Sequence, residues 1–78
     1  MIEARQIRAA RALLDWGQEK LAAAAIMSVA SVKRLERGAN THAATVAAVQ
    51  KALELAGVVF LEPGDIRDGG PGVRLKKR

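Results

Sequence analysis

Seventy-eight residues bound this chain to one domain, and a single core of that size is marginal enough that small domains often oligomerise. The absence of cysteine excludes disulfides and Cys-ligated zinc, and one histidine is too little for a protein-only metal site. The net charge of +5 favours an anionic partner, and no apolar run reaches the roughly 18 residues of a membrane span.

The charged start, MIEARQIRAAR, alternates too soon for a secretory signal, so a cytoplasmic protein is expected. Strong helix formers predict a first helix from about Glu3 to Leu14. Ile7, Ala10 and Leu14 fall on one stripe, with Leu13 beside it. Trp16-Gly17 breaks the helix, and Gly17 is an acceptable N-cap for the next. Trp16 can pack on Leu21 as a hydrophobic staple. It could stack on a base instead, but the core has almost no other aromatic side chain to fill it.

The second helix opens at Gln18-Glu19 and has Leu21 and Ala22 on its apolar side. Ile26 and Met27 form an apolar turn. Ser28 can cap a third helix by accepting from a free backbone N–H. Met27 and Val32 repeat the staple pattern around it. Val32 and Leu35, three residues apart, point inward. Val29, Ala30, Lys33, Arg34 and Arg37 lie on the other face, and Gly38 ends the helix. Such a helix suits the DNA major groove.

Residues 39–44 read as a polar connection. A fourth helix is predicted from about Thr45 to Ala56, or from His42 if Thr41 is the cap. Its buried stripe is Val46, Val49 and Leu53, and Gly57 ends it. The period then changes. Val58-Val59-Phe60-Leu61 reads as a strand, and Val73-Arg74-Leu75 as a second. A long loop, Pro63 to Gly72, with strong turn signals connects them. Lys76 to Arg78 reads as a frayed basic tail.

The spaced features Gln18-Glu19, Leu21-Ala22, Ser28, Val32 and Leu35-Glu36-Arg37-Gly38 resemble the helix-turn-helix of the Cro/C1-type (XRE) family of bacterial and phage regulators. Ile7 to Leu14 and Ala52 to Val58 extend the likeness over roughly the first three quarters of the chain. The resemblance implies a mainly α fold, a compact four-helix, lambda-repressor-like domain with a C-terminal β-hairpin. Residues 1–57 would form the helix-turn-helix domain, 58–75 a dimerising hairpin of the same domain, and 76–78 the tail. One position departs from the pattern, because the family usually has Gly where this chain has Ile26. Either the turn is locally different, or Ile26 tolerates about 1–3 kcal/mol of strain at positive φ.

The expected function is sequence-specific binding of double-stranded DNA by a transcriptional regulator, a repressor acting as a homodimer on a palindromic operator at the nucleoid. The alternative is an antitoxin that neutralises a partner toxin and regulates its own operon. Arg34 is the best candidate for bidentate contact with guanine O6 and N7, Lys33 could reach a base or a phosphate, and Arg37 a phosphate. The plain alternative for these three is a solvated helix face. Val29 and Ala30 can meet thymine methyls, and Ser28 and Ser31 a phosphate or base. Gln18 opens a helix whose free N–H groups favour phosphate, and the family's equivalent Gln contacts the DNA backbone. The resemblance adds Asn40 and Thr41 as further phosphate contacts. Arg11 and Glu36 occupy mainly buried stripes, where an unpaired charge is costly. The resemblance implies that they pair and tie the first helix to the third. The short apolar strands, through Val58, Val59, Phe60, Leu61, Val73 and Leu75, are the expected dimer surface, backed by Val49 and Leu53. No cofactor is implied, and no nucleophile–base pair suggests an enzyme.

Overall fold

The computed structural model describes residues 1–39, 42–64 and 69–77. Helix α1 spans Ala4–Leu13, α2 Gln18–Ala25, α3 Val29–Glu36 and α4 Ala43–Leu55; strands β1, Val58–Leu61, and β2, Gly72–Leu75, follow. None of these helices is long and apolar enough to cross a membrane. The mainly α fold with a terminal hairpin is therefore as the sequence indicates. Asn40, Thr41, part of the predicted long loop and Arg78 lie outside the described residues.

The four helices close over a small aliphatic core. Ile7 and Ala10 of α1, Leu21 and Ala22 of α2, Val32 and Leu35 of α3, and Val46, Val49 and Leu53 of α4 form one buried cluster. Trp16 and Met27 pack against its margin, so Trp16 serves as a core anchor. The ammonium of Lys20 sits 5.7 Å from the centre of the Trp16 ring, a cation–π arrangement.

Three boundaries differ from expectation. Helix α1 stops at Leu13, and Leu13 itself is 44% exposed. Helix α4 begins at Ala43, earlier than Thr45, and His42 takes the N-cap position. Its extended backbone there lets the helix start two residues sooner, on alanines that favour it. Lys76 is no frayed end, because its N–H donates to the carbonyl of Gly57 at 2.7 Å and prolongs the hairpin.

Ile26 adopts the left-handed conformation, φ 56° and ψ 57°, at the end of α2. Its N–H donates to the carbonyl of Ala23 at 3.3 Å and that of Met27 to Ala22 at 2.9 Å, which closes the helix. The turn thus keeps the geometry that glycine prefers and forces a β-branched residue into it. Nothing is gained from burial, since Ile26 is 92% exposed. Ile26→Gly should therefore stabilise the fold. Relief of about 1–2 kcal/mol of left-handed strain exceeds the roughly 0.4–1 kcal/mol that glycine adds to unfolded-chain entropy. A melting temperature a few degrees higher is expected. A melt unchanged or lowered would show that the turn carries no strain.

The strands pair antiparallel in the register Val58↔Leu75, Val59↔Arg74, Phe60↔Val73 and Leu61↔Gly72. Directly opposed residues share a face. Val58 is buried in the helical core, and Phe60 and Val73 pack on it, so the face they share with Leu75 turns toward the helices. Val59, Leu61 and Arg74 lie on the other face. A lone two-stranded hairpin is barely stable in water, and here β1 lies against α4 and β2 against α1.

A residue that the sequence reading passed over ties the hairpin down. Gln6 is buried, and its Nε2 donates to the carbonyls of Leu61 at 3.2 Å and Gly72 at 3.0 Å. Its Oε1 accepts from the N–H of Glu3 at 2.7 Å. One amide thus satisfies both strands and the start of α1.

The expectation that Val49 and Leu53 back a dimer surface needs correction. Both are 0% exposed, enclosed by the chain's own helices, and have no surface to offer a second chain. Val58, 3% exposed, is likewise spent on the internal core.

Candidate nucleic-acid interface

Helix α3 begins where its sequence says it should. Ser28 has extended backbone, and its Oγ accepts from the N–H of Ser31 at 3.1 Å. The two hydroxyl oxygens are 3.0 Å apart, within hydrogen-bond distance. Both Ser28 and Ser31 are therefore engaged in building the helix start. Val32, Leu35 and Glu36 face inward. Arg37 is the C-cap, and Gly38 follows at φ 74°, the left-handed stop that glycine takes cheaply.

The inward Glu36 is the hub that fixes this helix. Arg11 Nε donates to its Oε2 at 2.7 Å, and Arg11 Nη2 to its Oε1 at 3.0 Å, a bidentate pair. Gln18 Nε2 donates to the same Oε1 at 3.0 Å. Arg11 also reaches the carbonyl of Trp16 at 3.0 Å, and Arg8 donates to the backbone carbonyl of Glu36. Side chains of α1 and α2 thus meet on one carboxylate of α3. Burial alone pushes the Glu36 carboxyl up. The hydrogen bonds from Arg11 and Gln18, with the charges of Arg11 and Arg8, outweigh it and hold the group below its ordinary range. The Glu36 hydrogen bond raises the Arg11 guanidinium from its already high value, against a smaller loss to burial.

The outward face of α3 contrasts with this. Ala30, Lys33, Arg34 and Arg37 are exposed, and the three cations have no ion pair with a described residue. Val29 is half-buried, packed partly on the core, with an edge still facing out. An open cleft of about 360 Å³ separates the start of α2 from α3, lined by Gly17, Gln18, Glu19, Val29 and Lys33. Gln18 sits at the first position of α2, but its amide N–H is held by Glu36 rather than presented outward. Asn40 and Thr41 lie outside the described residues. Among the residues assigned from sequence, the structure brings Gln18, Val29 and Lys33 to one cleft. Arg34 also lies on α3, Arg37 is at its C-cap, and Ala30 is at its tip.

Glu19 and Gly17 line the same cleft, which their positions in the sequence do not announce. The signal available was the acidic residue in the first turn of α2, which reads equally well as a partner of the helix dipole.

In comparison with known protein families, residues 7–58 match the family model described as Helix-turn-helix. No curated protein matches the chain.

Proposed function

The chain belongs to the Cro/C1-type (XRE) family of helix-turn-helix DNA-binding transcription regulators, and from that premise we propose a repressor that binds a palindromic operator as a homodimer. The observation that carries this reading is the division of α3. Its inner face is locked through Glu36, while its outer face offers cations that pair with no described residue, beside small residues. A rigid helix with that outer face fits the major groove.

In this reading Arg34 contacts guanine O6 and N7, and Lys33 a base or phosphate. Val29 and Ala30 meet thymine methyls. Arg37 meets phosphate, with Asn40 and Thr41 beyond it, and the start of α2 at Gln18 fixes the register through its backbone N–H groups. Ser28 and Ser31 serve mainly as the cap. Such a protein works in the cytoplasm, at the nucleoid.

One recognition helix reads only a few base pairs, so a two-fold dimer is needed to double the site. The outer hairpin face, Val59 and Leu61 with Arg74, is the surface best suited to it. Phe60, Val73 and Leu75 support that face from behind.

Binding titrations against a preferred and a random duplex test the assignment. Arg34→Ala should weaken specific binding by about 1–3 kcal/mol and relax preference at one base pair per half-site. Arg37→Ala should weaken both duplexes alike and reduce the salt slope by about one phosphate contact. An Arg34→Ala protein with unchanged affinity and preference would mean that α3 is not the reading helix.

One observation favours a second reading, an antitoxin that neutralises a toxin and represses its own operon. A mainly apolar groove of about 300 Å³ runs between α2 and α4, lined by Ala24, Ala25, Ala48 and Ala52, with Lys51 as its one charged residue. Ile26 and Leu55, 92% and 80% exposed, flank it. Co-purification with a small protein encoded next to the chain would favour that reading.

A further inference from the structure

We propose that Glu19 is a base-reading residue, and that Glu19 and Lys33 together read one C·G base pair in each half-site. The inference rests on α3 being the recognition helix. Glu19, on the first turn of α2, and Lys33, on the outer face of α3, line the same open cleft. Both are exposed, and neither has an ion pair with a described residue. A carboxylate set against DNA repels every phosphate oxygen. It is compatible with the duplex only where it faces a donor, and the major groove offers two, cytosine N4 and adenine N6. Adenine places its N7 acceptor beside N6, which a carboxylate opposes, whereas cytosine has no such neighbour. The guanine paired with that cytosine presents O6 and N7, the acceptors an ammonium seeks. An acid and a base across one cleft therefore match the two halves of a C·G edge.

Gly17 supports the same geometry. Its φ of −76° is open to any residue, and a Cβ there would meet nothing within 4 Å. As the N-cap of α2, the position would favour Ser, Asp or Asn for stability. Glycine is itself an accepted N-cap, so the position serves α2 while carrying no side chain. The missing side chain leaves the mouth of the cleft open to a base-pair edge.

The test is enrichment of bound sites from random duplex DNA with the intact chain and with Glu19→Gln and Glu19→Ala, alongside their thermal melts. The intact chain should select C·G at one position of each half-site. Glu19→Ala should flatten that position alone. Glu19→Gln should move it toward A·T, since Gln pairs bidentately with adenine N6 and N7. All other positions should persist, and the melts should nearly superimpose. Two results overturn the proposal while leaving α3 as the reading helix. One is an unchanged motif in both variants; the other is a uniform gain in affinity for every duplex, which marks Glu19 as a mere electrostatic brake. Within the first of these, a shifted melt would assign Glu19 to the α2 helix dipole. If the intact chain enriches no motif, the DNA-reading assignment itself fails, and this inference with it.

Discussion

Removing either Arg11 or Glu36 alone is expected to destabilise the fold by about 3–5 kcal/mol, because the partner charge is left without its match. The Glu36 side chain is 4% exposed and that of Arg11 22%, so little water can replace the lost bonds. For a domain of this size such a loss lowers the melting temperature by more than about 10 °C. Replacing both with apolar residues of similar volume should cost less than the sum of the single changes. Additive losses in melts of the two single variants and the double variant would show that the residues do not couple. The pair also sets a pH response. The folded Glu36 carboxyl lies below its ordinary value, so its stabilisation is fully present above the unfolded carboxylate range. It disappears as the pH falls through the folded value. Arg11, raised from an already high value, contributes no change across the accessible range. Stability of the intact protein should fall below about pH 4.5, and Glu36→Gln should flatten that fall.

Deleting the chain from Val58 onward is expected to have the second large effect. The deletion opens the core at Val58 and takes away both carbonyls that accept from Gln6. A buried amide left unsatisfied costs about 1–3 kcal/mol, and loss of a buried valine adds to it. The truncated chain should be unfolded, or at most a monomer with greatly reduced DNA affinity. Because unfolding hides any effect on assembly, Val59→Asp separates the two. Val59 lies on the hairpin face turned away from the core, so the variant should melt near the intact protein yet sediment as a monomer. A Val59→Asp chain that remains dimeric would place the interface elsewhere.

Much of the fold was legible because local signals agreed. Ser28 as a cap, Gly38 as a stop and the spacing of Val32 and Leu35 are written within one short stretch, and α3 follows them closely. The strands were legible from the change in period after Gly57. What was not legible depended on partners distant in sequence. Gln6 sits beside Ile7 on the inner side of α1, and only the arrival of Leu61 and Gly72 explains a buried amide there. Val49 and Leu53 read correctly as apolar. Whether their stripe met the chain's own core or a second chain could not be told from periodicity, and their zero exposure decides it. Ile26 shows the reverse case. The sequence marked the turn as anomalous for a β-branched residue, and the backbone keeps the left-handed geometry all the same. The outward position of Lys33, Arg34 and Arg37 followed from helical spacing alone. That Glu19 and Lys33 line one cleft needed the packing of α2 against α3.

Enrichment of sites bound by the intact chain from random duplex DNA tests the central claim most directly. The account predicts a palindrome whose half-sites are centred about 34 Å apart, one turn of the duplex, or a multiple of it. Each half-site should contain a guanine whose selection is lost in Arg34→Ala. Recovery of no motif, or of a motif indifferent to Arg34→Ala, would contradict it.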